Sequence, residues 1–288
     1  MGASTSTSPP TRRVMDVLHA LATAGQPLTS SQLATACGIS SSTCALLLTE
    51  LHQRNWVTRR DDRRYVLGSG LFGLVNGLRR QFPLLDHGRQ VLGDLHQSLQ
   101  AACSMSMIGD DHLTTIDAVG HATNGEHAVG QRFPIDPPFG LVAMAWRGDD
   151  AVDRWLRQVT PRLTQADIES HRTVFADIRD RGYGAWRFDD AHLALHERLT
   201  AVLASMEPGE QLSRRLSSLM TMVTLTSVTR TLENDLATAE FIVIPVFGDD
   251  GQPRYQIEAR LSRPADLTLA TLDAAVGAAQ RHLAAVVT

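Results

Sequence analysis

The chain has 288 residues, enough for two domains of ordinary size. Its 43% apolar and 20% charged composition is that of a globular protein, and no run of about 18 apolar residues exists to form a membrane-spanning helix. The net charge of −4 conceals a split: the part through Arg80 carries nine arginines against four acids, or +5, which leaves −9 for the remainder. All basic charge is Arg, with no Lys. A basic small domain joined to an acidic larger one points to a nucleic-acid binder with an attached module that stays off the phosphates.

Residues 1–10 are rich in Ser, Thr and Pro. With neither an apolar core segment nor a basic start, they read as a disordered arm and not a signal peptide. Val14, Val17, Leu18 and Leu21 recur at helical spacing and give a first helix ending near Gly25. Thr29 or Ser30 suits the N-cap of a short second helix, and Gly38 supplies the positive φ that ends it. Ser40 can cap a third helix to about Arg54, on which Cys44, Leu47, Leu48 and Leu51 form an inward stripe. Trp56–Arg59 and Arg64–Leu67 are short strand-like runs around an Asp61-Asp62 turn. Three helices followed by a basic hairpin make a winged helix-turn-helix over residues 11–68.

In that arrangement the third helix enters the major groove of duplex DNA, with its first turn at the base edges. The expected reading face is Ser41, Ser42, Thr43, Ala45, Leu46 and Thr49. The hydroxyls suit phosphates or several bases, and Ala45 and Leu46 suit thymine methyls. Arg59, Arg60, Arg63 and Arg64 would lie along the backbone or enter a minor groove.

Farther along, Leu84, Val91, Leu92, Leu95 and Leu99 mark a helix. Residues 103–108 and 113–119 are strand candidates around Gly109-Asp110-Asp111. The closing pair, 241–247 and 253–262, is clearer: Tyr255, Ile257, Ala259 and Leu261 alternate with Gln256, Glu258, Arg260 and Ser262. An alanine-rich helix follows over 270–287. The fold class expected is α+β, an antiparallel sheet flanked by helices. Between about 189 and 240, Leu212, Leu216, Leu219 and Val223 recur with helical spacing after Pro208-Gly209, so a helical insertion is expected there.

The stretch PLTSSQLATACGISSSTCALLLTELHQRNWVTRRDDRRYVLG resembles the DNA-binding domain of IclR-type transcriptional regulators. LGSGLFGLVNGLRRQ is similar to that family's linker helix, which places a linker at 69–82. The sensor blocks follow in family order, among them VGQRFPIDPPFGLVAMAW and FIVIPVFGDDGQPRYQIEARLSRPADLT. The resemblance implies a GAF/PAS-like effector-sensing and oligomerisation domain over 83–288, a small-molecule effector, and a near-palindromic operator read by a homodimer or tetramer.

Departures from the family limit what carries over. Ser41, Ala45 and Leu46 stand where relatives place basic or bulky polar residues, and Leu46 meets either DNA or a partner chain or linker helix. The family's carboxylate-holding loop corresponds to Pro138, Phe139 and Gly140; Pro138 has no N–H to donate, and Phe139 is large. Phe241 replaces a cysteine at the start of its strand, and Arg260 and Ser262 correspond to two small hydroxyl positions. Arg260 is read first as a solvated strand arginine, with a bidentate anion grip as the alternative. The pocket is thus either retuned for a bulkier, more apolar acid or filled by its own side chains. The insertion serves as a lid over it or as a subunit interface.

His192 and His196 stand at i, i+4 near Asp189, Asp190 and Glu197, but without an HExxH glutamate they read as a surface helix, so no metal or cofactor is expected. Three cysteines, Cys37, Cys44 and Cys103, cannot all pair with one another and read as reduced thiols, not as a redox pair. No phosphate loop or nucleophile elbow appears, so an enzyme is not expected. The expectation is a cytoplasmic one-component regulator; the alternative is a ligand- or protein-binding sensor with a degenerate DNA-binding head.

Overall fold

Caps and a tight glycine turn set the helix boundaries of the N-terminal unit. The computed structural model describes residues 8–120, 129–135, 137, 139–158, 163–187, 239–261 and 268–287, with isolated positions 194–195, 198–199, 202, 216, 219–220 and 224. The chain divides into two compact units, Met1–Phe82 and Pro83–Thr288. In the first, α1 spans Pro9–Thr23, α2 Ser30–Ala36 and α3 Ser41–Gln53. Helix α1 begins earlier than expected, taking in two residues assigned to the disordered arm, because proline's fixed φ suits a first helical turn whose N–H groups lack intrahelical partners.

Thr29 caps α2 in a full capping box: its side chain accepts from the Gln32 N–H, and the Gln32 side chain accepts from the Thr29 N–H at 2.8 Å. The helix ends in a Schellman turn, with Gly38 at φ +61°, the Gly38 N–H donating to Thr35 O and the Ile39 N–H to Ala34 O. Val17, Leu33, Cys44, Leu48 and Val57 are at most 1% exposed and form the core of this unit.

Strands β1 (Val57–Arg59) and β2 (Tyr65–Leu67) pair antiparallel, and Leu28 makes a single antiparallel bridge to Tyr65. The hairpin returns past the end of α3 through Gly68 and Gly70, whose N–H groups donate to Trp56 O and Asn55 O. A Cβ at Gly68 would lie 2.2 Å from Asn55 O, and one at Gly70 2.6 Å from Arg54 O, so only glycine fits. A 3-10 turn, Ser69–Leu71, leads into α4, Phe72–Gln81, which buries none of its residues within the unit.

The second unit is a six-stranded antiparallel sheet of order β5-β4-β3-β8-β7-β6. Its elements are α5 (Leu84–Leu99), β3 (Ala101–Ile108), β4 (His112–Val119), β5 (Arg132–Pro134), α6 (Leu141–Met144), α7 (Asp149–Leu156), α8 (Gln165–Arg181), β6 (Gly184–Trp186), β7 (Phe241–Phe247), β8 (Pro253–Leu261) and α9 (Leu269–Ala284). Mixed helix and antiparallel sheet is the α+β class expected. Alternation sorts the side chains. Ile242, Ile244 and Val246 of β7 with Ile257, Ala259 and Leu261 of β8 pack in one cluster with α5 and α9. Phe241 and Val243 fall on the other face, in a second cluster with α6, α7 and α8.

Two polar contacts tie the helices down. The Tyr183 hydroxyl donates to Asp273 of α9 at 2.7 Å. Arg172 of α8 grips Asp153 of α7 with two bonds of 3.0 and 2.6 Å. Of the expected helical insertion, Leu216 and Leu219 are helical, and Leu195 and Leu216 flank the buried pair Leu199 and Met220. Asp189, Asp190, His192, His196, Glu197, Leu212 and Val223 lie outside the described residues.

Two outcomes follow from this packing. Gly68→Ala should cost the N-terminal unit about 1–3 kcal/mol through overpacking; amide exchange across 55–68 then speeds up while exchange in the second unit is unchanged, and identical exchange in both would contradict it. The Arg172 hydrogen bonds hold the Asp153 carboxyl below the usual carboxylate range. A lowered folded pKa contributes stability above the ordinary value and loses it as pH falls through the lowered one. Arg172→Gln should therefore lower the melting temperature at neutral pH, with the difference from the parent chain shrinking as pH falls below the usual carboxylate range.

Candidate nucleic-acid interface and sensor face

The third helix of the head has a dry side and a wet side. Cys44, Leu48 and Leu51 are buried and Leu47 half-buried, as the stripe demands, leaving Ser41, Ser42, Ala45, Leu46 and Thr49 exposed and Thr43 partly so. Ser40 caps the helix by accepting from the Thr43 N–H at 3.2 Å. Its hydroxyl also donates to Thr43 Oγ1 at 2.9 Å and lies 3.1 Å from Ser42 Oγ. The Thr49 hydroxyl donates to Ala45 O at 2.9 Å, within its own helix. Leu46 is 74% exposed, in sharp contrast to Leu48 at 1%.

Arg59, Arg60, Arg63 and Arg64 are all exposed on the hairpin. Its tip closes through the Arg60 N–H to Arg64 O at 2.8 Å and the Arg63 N–H to Arg60 O at 3.0 Å. Arg63 takes the left-handed conformation at φ +63°. Asp62 accepts from the Arg64 N–H at 3.1 Å and stands 3.8 Å from its guanidinium, an exposed pairing worth little. No acid pairs with Arg59, Arg60 or Arg63 among the described residues. The tip therefore presents concentrated positive charge.

In the second unit, the face of the sheet opposite α5 and α9 carries the residues expected at an effector site. Phe241 stacks parallel to its cross-strand neighbour Trp186, with ring centroids 6.3 Å apart. Arg260, its neighbour on the other side, sets its guanidinium 5.7 Å from the Phe241 ring centroid. The expectation of a simply solvated Arg260 is thereby corrected: a cross-strand aromatic ring gives the cation a face to lie on, and the side chain is half-buried. Phe139 packs on Phe133 at 4.9 Å and against the second hydrophobic cluster, so it serves the core. Gly140 is buried at φ +80°, and a Cβ there would stand 2.8 Å from Ile135 Cγ2. Pro138 and Ser262 lie outside the described residues.

Pairing register reveals a feature that the sequence does not announce. Ser106 on β3 stands opposite Thr115 on β4 and opposite Gln256 on β8, so three polar side chains form one row across the sheet. Thr115 is 1%, Ser106 8% and Gln256 7% exposed. Thr115 Oγ1, Gln256 Oε1 and the Trp186 indole N–H have no hydrogen-bond partner among the described residues, although buried donors and acceptors nearly always find one. Nearby, Glu240 is buried and pairs with Arg187 at 3.4 Å.

The thiols and metal-binding groups are quiet. Burial pushes the Cys103 thiol up to about 12 and raises that of Cys37. Cys37, Cys44 and Cys103 are all free. Among the described residues no cluster of three His, Cys, Asp or Glu is placed to hold a metal. No single helix among them is long and apolar enough to cross a membrane.

Comparison with known proteins agrees with this geometry. Residues 10–61 match the model of the IclR helix-turn-helix domain. No curated protein sequence matches the chain. Among solved structures, it resembles an IclR-type transcriptional regulator from Alicyclobacillus acidocaldarius with 19% identity, 98% of each chain covered and a TM-score of 0.55. It resembles the IclR protein of Thermotoga maritima with 14% identity, 96% and 97% coverage and a TM-score of 0.57. A third is an IclR homolog from Microbacterium hydrocarbonoxydans complexed with 4-hydroxybenzoate, with 16% identity, 96% and 99% coverage and a TM-score of 0.56. The chain thus carries an IclR helix-turn-helix domain at its N-terminus and, along nearly its whole length, the fold of the IclR transcriptional regulators.

Proposed function

We propose that the chain is a cytoplasmic one-component transcriptional regulator: a winged head at 11–68 docks on double-stranded DNA, 69–82 link it, and 83–288 sense a small molecule that alters operator binding. The observation that carries the DNA half is the wing, where Arg59, Arg60 and Arg63 have no acid partner among the described residues. Phosphate neutralisation dominates the affinity of such modules. With helix α3 almost uncharged on its exposed side, that task falls to the hairpin, while Ser41, Ser42, Thr43, Ala45, Leu46 and Thr49 face the bases.

The sensing half rests on Thr115, Gln256 and Trp186, whose buried polar atoms lack partners among the described residues. On the same face of the sheet, in the row of Trp186 and Phe241, Arg260 offers a positive charge to an organic acid, and the Trp186–Phe241 stack favours a bulkier, more apolar one. The Microbacterium relative, bound to 4-hydroxybenzoate, supports this ligand class. A homodimer or tetramer reading a near-palindromic operator accounts for α4, where Phe72 is 73% and Leu78 50% exposed. No catalytic role is assigned to any residue.

Two measurements test the halves separately. Changing Arg59, Arg60, Arg63 and Arg64 together to Ala should weaken binding to duplex DNA and flatten its salt dependence, by about 0.9 in logarithmic slope for each phosphate the wing no longer neutralises. Unchanged affinity and slope would overturn the wing assignment, and no binding of duplex DNA by the parent chain would leave a sensor with a degenerate head. In the second unit, Gln256→Met removes a buried acceptor that has no partner among the described residues, so the ligand-free chain should melt higher, by about 1 kcal/mol of stability. A lower melting temperature would mean that the amide is already satisfied and the site is not one awaiting a ligand.

A further inference from the structure

The first half of helix α3 lacks the side chains that usually read guanine and adenine. On its exposed side from Ser41 to Thr49 there is no Arg, Lys, Asn or Gln, the residues that bond the purine edges in bidentate fashion. The hydroxyls there are largely committed: Ser42 and Thr43 belong to the Ser40 cap, and Thr49 donates to its own helix. What remains is Ser41 at the very start and, one turn inside the helix, a pair of apolar side chains, Ala45 and Leu46, the latter 74% exposed. In the major groove one apolar group is available to them, the C5-methyl of thymine.

We propose that Leu46, with Ala45 beside it, is a specificity-determining residue that reads thymine methyl groups, so that the base pairs facing α3 in the operator are A·T. This rests on the DNA-binding reading above and adds the chemistry of what is read. The wing supports the same choice, because arginines are drawn to the narrow minor groove of A-tracts. Packing of Leu46 on a second copy of the chain is the competing use of this side chain, and it makes no distinction between thymine and uracil.

The test is a selection of bound duplexes from a randomised library by the full chain. The selected duplex is then resynthesised with uracil for thymine, which deletes the methyl alone. The parent chain should bind the uracil duplex more weakly, by about fourfold for each methyl that Leu46 or Ala45 covers. Leu46→Ala, at an exposed position, should bind the thymine duplex more weakly and show a smaller or absent uracil penalty. Equal binding of the two duplexes by the parent chain overturns the inference while leaving DNA binding intact. So does a penalty that survives in Leu46→Ala undiminished. Failure to enrich any duplex overturns both readings.

Discussion

Each working surface of this protein is the reverse side of an element whose other side is fixed in a core. Helix α3 packs Cys44, Leu48 and Leu51 inward, and that anchoring decides that Ala45 and Leu46 face out. Strand β8 packs Ile257, Ala259 and Leu261 against α5 and α9, and that anchoring decides that Gln256, Glu258 and Arg260 fall on the opposite face. A shift of one residue in either element would bury the working groups and expose the core. Function is held in register by packing.

The head and the second unit use polar groups in opposite ways. The head meets helix-end donors and acceptors through the Thr29–Gln32 box, the Ser40 cap and the Gly38 turn, and sets Arg59, Arg60 and Arg63 on the hairpin without acid partners among the described residues. In the second unit the unsatisfied atoms are buried: among the described residues Thr115 Oγ1, Gln256 Oε1 and the Trp186 N–H have no partner. Leaving buried polar atoms so costs stability, and the proposed sensing role is what would offset that cost.

Local signals carried most of the head. The caps, Gly38, the inward stripe of α3 and the exposed Leu46 are all set by residues within a few positions of one another. The glycine requirement at Gly68 and Gly70 was not visible, because it comes from the backbone of Arg54 and Asn55, which the hairpin return brings close. Arg260 was misjudged for a related reason: alternation gives its face, but not the Phe241 ring on the neighbouring strand. The Thr115–Ser106–Gln256 row was beyond reach. It joins the β3–β4 hairpin to β8, far along the chain, and an irregularity between Met105 and Ser106 resets the pairing of β3 with β4. Register is a property of the assembled sheet, and no stretch of sequence states it.

The account stands or falls on the head meeting DNA through α3 and the wing. Hydrogen exchange of the full chain, with and without an excess of duplex DNA at low salt, tests this most directly. Slowed exchange at the start of α3 and across residues 59–64 is the predicted result. Protection confined to residues 83–288, with the head unchanged, would contradict it.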